Sequence, residues 1–328
     1  MRIRKWTYTT LLLIGFAALV PGFLRSQQDG AISFDEEELP EFRIGVDVGM
    51  VSVPVTVRRA DGSFFRGLTQ KSFRILEDGK EQEIVFFAQE ALPTHIAIVL
   101  DISGSVRPEW GSIKQATKRF IEHFRPDDSF SITTFNTEVV LKMPWGKRTD
   151  RVDAVLTSIY CKDETKLWDA IWVVATEVFE GIDGKKVMIV MTDGLDNQSI
   201  SSYADAVRAS VENQIAIYIV SKVEALRQYF EYLYPGGVPQ GYFAQAESIL
   251  RRLADDTGGR VLRPNNFGQL GDVYDEVSEE LRNQYTLGYI STNTAKDGTY
   301  REINVGVSTQ DARNVTITSR PGYYAPRR

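Results

Sequence analysis

The apolar positions of this chain change period twice. Between Phe42 and Gln89 they recur at every second residue: Val51, Val53, Val55 and Val57 alternate with smaller or polar residues, and Phe73, Ile75, Ile84 and Phe86 add strand-like positions. A period of two belongs to a strand with one buried face. Pro54 inside the first run predicts an edge strand, because proline gives no N–H to a ladder. Asp61-Gly62 and Asp78-Gly79 predict turns, since glycine takes a positive φ without steric cost. A β unit of about 50 residues buries too little surface to fold alone.

From Thr94 to about Asn283 short apolar runs alternate with stretches of helical spacing. Residues 96–100, 130–135, 139–143, 187–191 and 215–220 read as strands, most of them continuous enough to be covered on both faces. Pro108 opens a helix with Ile113, Ala116, Phe120, Ile121 and Phe124 on one face, and Val152, Val155, Leu156 and Ile159 form another helical face. Further helices are expected over 167–179, 203–211, 244–254 and 267–281. This order implies an α/β fold with a doubly wound, mainly parallel sheet. Ligands of such sheets bind beyond the carboxyl ends of the strands. After Asn283 strand-like runs return at 285–289, 301–307 and 315–319. Both β regions are small and have edges to cover, so they are expected to pair as one small β-sandwich into which the α/β region is inserted. Two separate small β units are the alternative.

The amino terminus has a pattern of its own. Arg2, Arg4 and Lys5 precede an apolar stretch from Leu11 to Val20, broken by Pro21-Gly22. This reads as an export signal over 1–26, with an uncleaved membrane anchor over 6–24 as the alternative. Residues 27–41, which hold Asp35-Glu36-Glu37-Glu38, read as an acidic linker. The expected boundaries are 42–92 for the first β unit, 93–283 for the α/β domain and 284–328 for the second β unit. The expected location is the periplasm, the cell envelope or the outside. With 328 residues and 43% hydrophobic content the chain has enough material for a sizeable core. Its net charge of −6 and lack of a basic stripe leave no footprint for nucleic acid. Cys161 is the only cysteine, so the chain holds no internal disulfide.

Five oxygen-bearing side chains carry the candidate chemistry. Asp101, Ser103 and Ser105 follow the run at 96–100, Thr165 opens Thr165-Lys166-Leu167-Trp168-Asp169, and Asp193 follows the run at 187–192. Hydroxyls and carboxylates are hard ligands that suit magnesium, calcium or manganese. The plain alternative is that Asp101, Ser103 and Ser105 cap the helix that follows. A serine hydrolase needs a histidine base, and the two histidines, His95 and His123, belong to no motif. No phosphate-cradling glycine loop or zinc-spaced cluster is present, so the chain is not expected to be an enzyme.

Asp101-Ile102-Ser103-Gly104-Ser105, Thr165 and Met191-Thr192-Asp193-Gly194 together resemble a von Willebrand factor type A domain with an intact metal-ion-dependent adhesion site, over roughly 94–281. Phe73-Arg74-Ile75-Leu76-Glu77-Asp78-Gly79, Gln284-Tyr285-Thr286-Leu287-Gly288-Tyr289 and Pro321-Gly322-Tyr323-Tyr324 resemble exported type A-domain-related acidobacterial proteins. The resemblance implies that Ser103, Ser105 and Thr165 coordinate the metal through their hydroxyls while Asp101 and Asp193 mainly hold its waters, with direct ligation by Asp193 in another state as the alternative. It further implies Mg2+, with Mn2+ or Ca2+ as alternatives, and a protein partner that offers an Asp or Glu carboxylate. The chain departs from the family at Cys161-Lys162-Asp163-Glu164, where small glycines are usual. The expected function is an exported, metal-dependent adhesion-type module. A structural part of a cell-envelope assembly is the alternative, and a metal-dependent hydrolase a more distant one. Arg107, Glu109, Lys166, Leu195 and the aromatic segment 229–242 are the candidate rim.

Overall fold

The structure is a computed structural model that describes residues 49–89, 92–147, 149–161, 165–224, 227, 240–308 and 314–327, without the side chains of Ser105, Gln240 and Tyr242. The expected export signal and acidic linker lie outside these residues. Among the described residues no helix is long and apolar enough to cross a membrane.

The strands are β1 (Met50–Arg59), β2 (Phe73–Glu77), β3 (Lys80–Gln82), β4 (Ile84–Ala88), β5 (Thr94–Asp101), β6 (Ser129–Phe135), β7 (Val139–Gly146), β8 (Lys185–Thr192), β9 (Ile215–Ser221), β10 (Val261–Leu262), β11 (Tyr285–Ile290), β12 (Tyr300–Val307), β13 (Val315–Ser319) and β14 (Gly322–Tyr324). The helices are α1 (Trp110–Glu122), α2 (Val152–Thr157), α3 (Leu167–Val173), α4 (Tyr203–Glu212), α5 (Gln240–Thr257) and α6 (Leu270–Asn283).

The central sheet has the order β10-β9-β8-β5-β6-β7, and every pair in it is parallel except β6 with β7. Helices cover both faces, so successive residues of a strand serve different cores. Ile96, Ile98 and Leu100 of β5 pack with Ile113 and Phe120 of α1 and with Tyr274 and Val277 of α6. Ala97 and Val99 pack with Ile171 of α3, Ala206 of α4 and Leu250 of α5. That two-sided burial is why these strands read as continuous apolar runs rather than as alternating ones.

Strands from the two ends of the chain share two four-stranded sheets, β13-β1-β11-β4 and β14-β12-β2-β3. Val53, Val55, Ile75, Leu287 and Ile303 meet in one core between them. The alternative of two separate β units does not hold, because β1 pairs with β11 and β2 pairs with β12. The β2–β3 turn uses Asp78 and Gly79, both at positive φ (48° and 78°), as a two-residue hairpin of this twist requires.

Two local expectations are corrected. β1 is an interior strand, not an edge. Pro54 is accommodated because β11 pairs with Met50–Val55 while β13 pairs only from Val55 onward, so one side of Pro54 has no ladder to break. Pro108 does not open a long helix: it lies in a 3-10 turn over Gly104–Glu109, and α1 starts at Trp110. The helix expected over 167–179 changes from α to π geometry at Val174.

Candidate metal site

Three neighbouring parallel strands deliver the site. β5 ends at Asp101, β8 is followed by Asp193, and β9 is followed by Lys222. The registers Leu100↔Met191, Met191↔Val220 and Thr192↔Ser221 place these carboxyl ends side by side. Asp101, Ser103, Thr165 and Asp193 are all buried. Ser105 lies in the 3-10 turn over Gly104–Glu109, and its side chain is outside the description.

Each side chain is aimed by backbone bonds. Asp101 Oδ1 accepts the Ser103 N–H at 2.8 Å, which turns the chain off the end of β5. The Ile102 N–H donates to the Phe135 carbonyl and ties that turn to β6. Ser103 stands just before the 3-10 turn with extended backbone and makes no side-chain capping bond to it, so the capping reading does not hold for Ser103. Asp193 Oδ1 accepts the Leu195 N–H at 3.1 Å, and Thr192 Oγ1 accepts the Gly194 N–H at 3.1 Å. Gly194 has φ +79°, and a Cβ there would lie 2.9 Å from Leu250 Cγ, so both its backbone and its neighbours demand glycine.

The Thr165 turn is clamped to the loop after β8. The Thr165 N–H donates to Asn197 Oδ1 at 3.1 Å, and the Asn197 N–H returns to the Thr165 carbonyl at 3.2 Å. Asp196 Oδ1 accepts the N–H groups of Leu167 (2.8 Å) and Trp168 (3.4 Å) and the Ser199 hydroxyl, so it caps α3 from another loop. Asp169, buried on the first turn of α3, accepts the Ile200 and Ser201 N–H groups through Oδ1. Among the described residues its Oδ2 has no hydrogen-bond partner, and it lies 4.0 Å from Lys166 Nζ. Asn197 and Asp196 hold the Thr165 turn, and Asp169 ties the start of α3 to the same loop.

The residue missed by sequence reasoning is Lys222. Its side chain is 1% exposed, with Nζ 2.8 Å from Asp101 Oδ2 and 3.7 Å from Asp193 Oδ2. Its N–H donates to the Thr192 carbonyl at 2.9 Å, which joins the ends of β9 and β8. Burial works against the ammonium, but Asp101 and Asp193 more than offset it and hold the Lys222 pKa above the usual lysine value. Burial raises the Asp193 pKa, and nearby Asp101 adds to the rise; Lys222 offsets this only in part. The ammonium is hydrogen-bonded to Asp101 and merely near Asp193. A signal was available, since Lys222 stands just past the end of an apolar strand run, with only Ser221 between, much as Asp101 and Asp193 stand past theirs.

The donor set fits a hard divalent cation. Two buried carboxylates already converge on a positively charged group, and the hydroxyl residues Ser103 and Thr165 occupy the adjoining turns. Among the described residues no group of three or more His, Cys, Asp or Glu side chains is arranged to hold a metal, so a cation here depends on hydroxyl oxygens as well.

The surroundings are less complete. Arg107 is exposed and donates to the Cys161 carbonyl at 3.1 Å; Glu109, Lys166 and Leu195 are partly buried. Burial pushes the Cys161 thiol above its usual pKa, the reverse of an activated cysteine. The departure at 162–164 and most of the aromatic segment 229–242 fall outside the described residues. An open groove of about 650 Å³ bordered by Arg66, His123 and Arg282 lies elsewhere, beside the carboxyl end of α1. His123 is exposed there and faces Asp275 at 3.3 Å.

A model of the von Willebrand factor type A domain matches residues 95–276. Similar solved structures include BatB from Bacteroides thetaiotaomicron (19% identity, 57% of this chain and 97% of that one, TM-score 0.44). Proximal thread matrix protein 1 from the mussel byssus, solved with a zinc-occupied MIDAS motif, is 17% identical over 62% of this chain and 49% of its own (TM-score 0.48). A von Willebrand factor type A protein from Catenulispora acidiphila is 13% identical over 78% of this chain and 73% of its own (TM-score 0.47). No curated protein matches the chain.

Proposed function

The chain belongs to the von Willebrand factor type A domain family, and from that premise we propose that it is an exported binding module that captures a carboxylate of a protein partner through a divalent cation. The observation that carries this reading is the convergence of buried Asp101 and Asp193 on one cationic group at the carboxyl edge of the sheet. Ser103, Ser105 and Thr165 would hold the cation by their hydroxyls, with Asp101 and Asp193 holding its waters. When bound, the cation supplies a Lewis-acid position for one oxygen of a foreign carboxylate, because neutral hydroxyl ligands leave its charge poorly offset. Magnesium, which keeps several waters, suits such a site best; manganese and calcium are the alternatives. The Asn197 and Asp196 bonds keep the Thr165 turn in place, so the hydroxyls need little ordering on binding.

A binding role fits the residues better than a catalytic one. His95 lies near the amino end of β5, six residues and about 20 Å of strand from Asp101, with Nδ1 2.6 Å from Ser129 Oγ. Export rests on the basic and apolar pattern of the first 26 residues. A role in which the metal only supports the fold is less well supported, because Lys222 already offsets part of the buried negative charge.

The test is a pull-down from cell-envelope extract in Mg2+ or EDTA, with wild type beside Thr165→Ala. Thr165→Ala removes a hydroxyl and leaves the backbone bonds to Asn197 intact. Partner capture that needs Mg2+ and is lost in the variant, at unchanged melting temperature in EDTA, is expected. Capture that survives both EDTA and Thr165→Ala overturns the reading.

A further inference from the structure

Lys222 puts a fixed positive charge into the centre of the proposed cation site. Its Nζ is within ion-pair distance of both carboxylates, and its side chain is as buried as theirs. Its position is built in. The backbone of Lys222 is bonded to the end of β8, and the Ser221 hydroxyl next to it donates to Glu247 of α5 and accepts the Val223 N–H. The ammonium therefore does not reach the carboxylates by a surface side chain folding over; the strand end delivers it.

We propose that Lys222 is a tethered internal cation that competes with the divalent metal for Asp101 and Asp193, and so sets how much free metal the site needs. The proposal rests on the metal-dependent reading above. With both carboxylates ionised, the pocket carries two negative charges, which one ammonium halves. The Asp101 oxygen that accepts from Lys222 is then not available in full to waters on a metal, and an ammonium left in place would repel a doubly charged ion. Metal uptake thus requires the ammonium to leave Asp101 Oδ2. Two consequences follow. The metal-free site is half-compensated by its own ammonium, and the module passes from a closed, self-paired state to a loaded state as the metal concentration rises.

The experiment titrates Mn2+ into the full chain and follows the free-ion electron paramagnetic resonance signal, for wild type, Lys222→Met and Asp101→Ala. Lys222→Met keeps the length of the side chain and removes its charge. It is expected to bind Mn2+ at least tenfold more tightly than wild type, while Asp101→Ala binds weakly or not at all. A second measurement does not depend on the variant folding. In wild-type protein, acetylation of Lys222 by an activated ester, read by mass spectrometry, is expected to be slow in EDTA and several-fold faster in saturating Mn2+. Equal Mn2+ affinity for wild type and Lys222→Met, or acetylation of Lys222 that ignores Mn2+, overturns the competition and leaves the metal reading standing. Absence of Mn2+ binding by both wild type and Lys222→Met overturns the two together.

Discussion

Asp196, in the loop after β8, accepts the Leu167 N–H at 2.8 Å and so caps a helix that begins 29 residues earlier in the chain. The first N–H groups of any helix lack partners within it, and a carboxylate there is stabilising both as an acceptor and against the helix dipole. Here the cap also joins the two loops that carry Thr165 and Asp193. Asp196→Ala is expected to cost about 1–2 kcal/mol of stability by denaturant unfolding. Because Asp196 also takes the Ser199 hydroxyl, the same change should weaken metal binding without touching a proposed ligand. A variant with lower stability but an unchanged metal-induced melting shift would separate the cap from the site.

The pairing of Asp101 with Lys222 predicts non-additive stability. Removing one member of a buried ion pair leaves the other uncompensated, at a cost of about 3–5 kcal/mol. Asp101→Asn in EDTA should therefore fall near that range, softened by Asp193 at 3.7 Å from the same ammonium. The double variant Asp101→Asn, Lys222→Met should recover much of the loss. Simple addition of the two single effects in a double-mutant cycle would show that the pair is not coupled.

The history of these residues in the sequence explains why the site was only half legible. Asp101, Ser103 and Asp193 stand out because each lies within three residues of the end of a continuous apolar run, and such runs report buried parallel strands without further information. Lys222 follows a run too, but its meaning depends on β9 lying beside β8 and on the register Thr192↔Ser221, which no single-strand period contains. Pro54 misled for a similar reason: its missing N–H excludes a ladder on one side only, and where β13 stops cannot be read from β1. The two-residue strand β10 is too short to show a period at all. The joining of the two β regions was inferred from their size and unpaired edges, and β1 with β11 and β2 with β12 realise it.

Lys185 gives the fold a pH dependence that runs upward. It opens β8, buried, with Nζ donating to the Leu281 carbonyl at 3.0 Å. Burial lowers its pKa from 10.5 to about 8, although Asp128 and Glu280 pull the other way. Between pH 8 and 10.5 the unfolded chain therefore holds a proton that the folded chain has lost, and stability rises with pH across that window. Below pH 8 both states are protonated and the cost of the buried ammonium is present in full. Its contribution should grow by at most about 1.4 kcal/mol per pH unit. Lys185→Met is expected to remove this slope in denaturant titrations at pH 7.5, 8.5 and 9.5. Parallel slopes for the variant and wild type would assign the rise to other groups.

Glu280 ties the sandwich to the α/β unit, and its loss should be severe. The side chain is 1% exposed on α6. It takes Arg58 of β1 at 2.9 Å, lies 2.8 Å from Arg260, and accepts from Thr56 at 3.4 Å and from the Tyr218 hydroxyl of β9 at 3.2 Å. Two guanidinium groups, drawn from the sandwich and from the segment before β10, thus meet on this carboxylate, and Glu276 shares them at 3.9 Å from Arg58 and 2.8 Å from Arg260. Glu280→Gln keeps the shape and removes the buried charge, while Glu276 still holds Arg260; a loss toward the lower end of about 3–5 kcal/mol is expected. The control is the neighbouring exposed pair Arg66–Glu279, at 3.6 Å with both side chains more than half exposed. Breaking that pair by Glu279→Gln should change stability by less than about 1 kcal/mol, since water and salt screen it. Comparable losses from the two substitutions would mean that the buried carboxylate is not what couples β1 to α6.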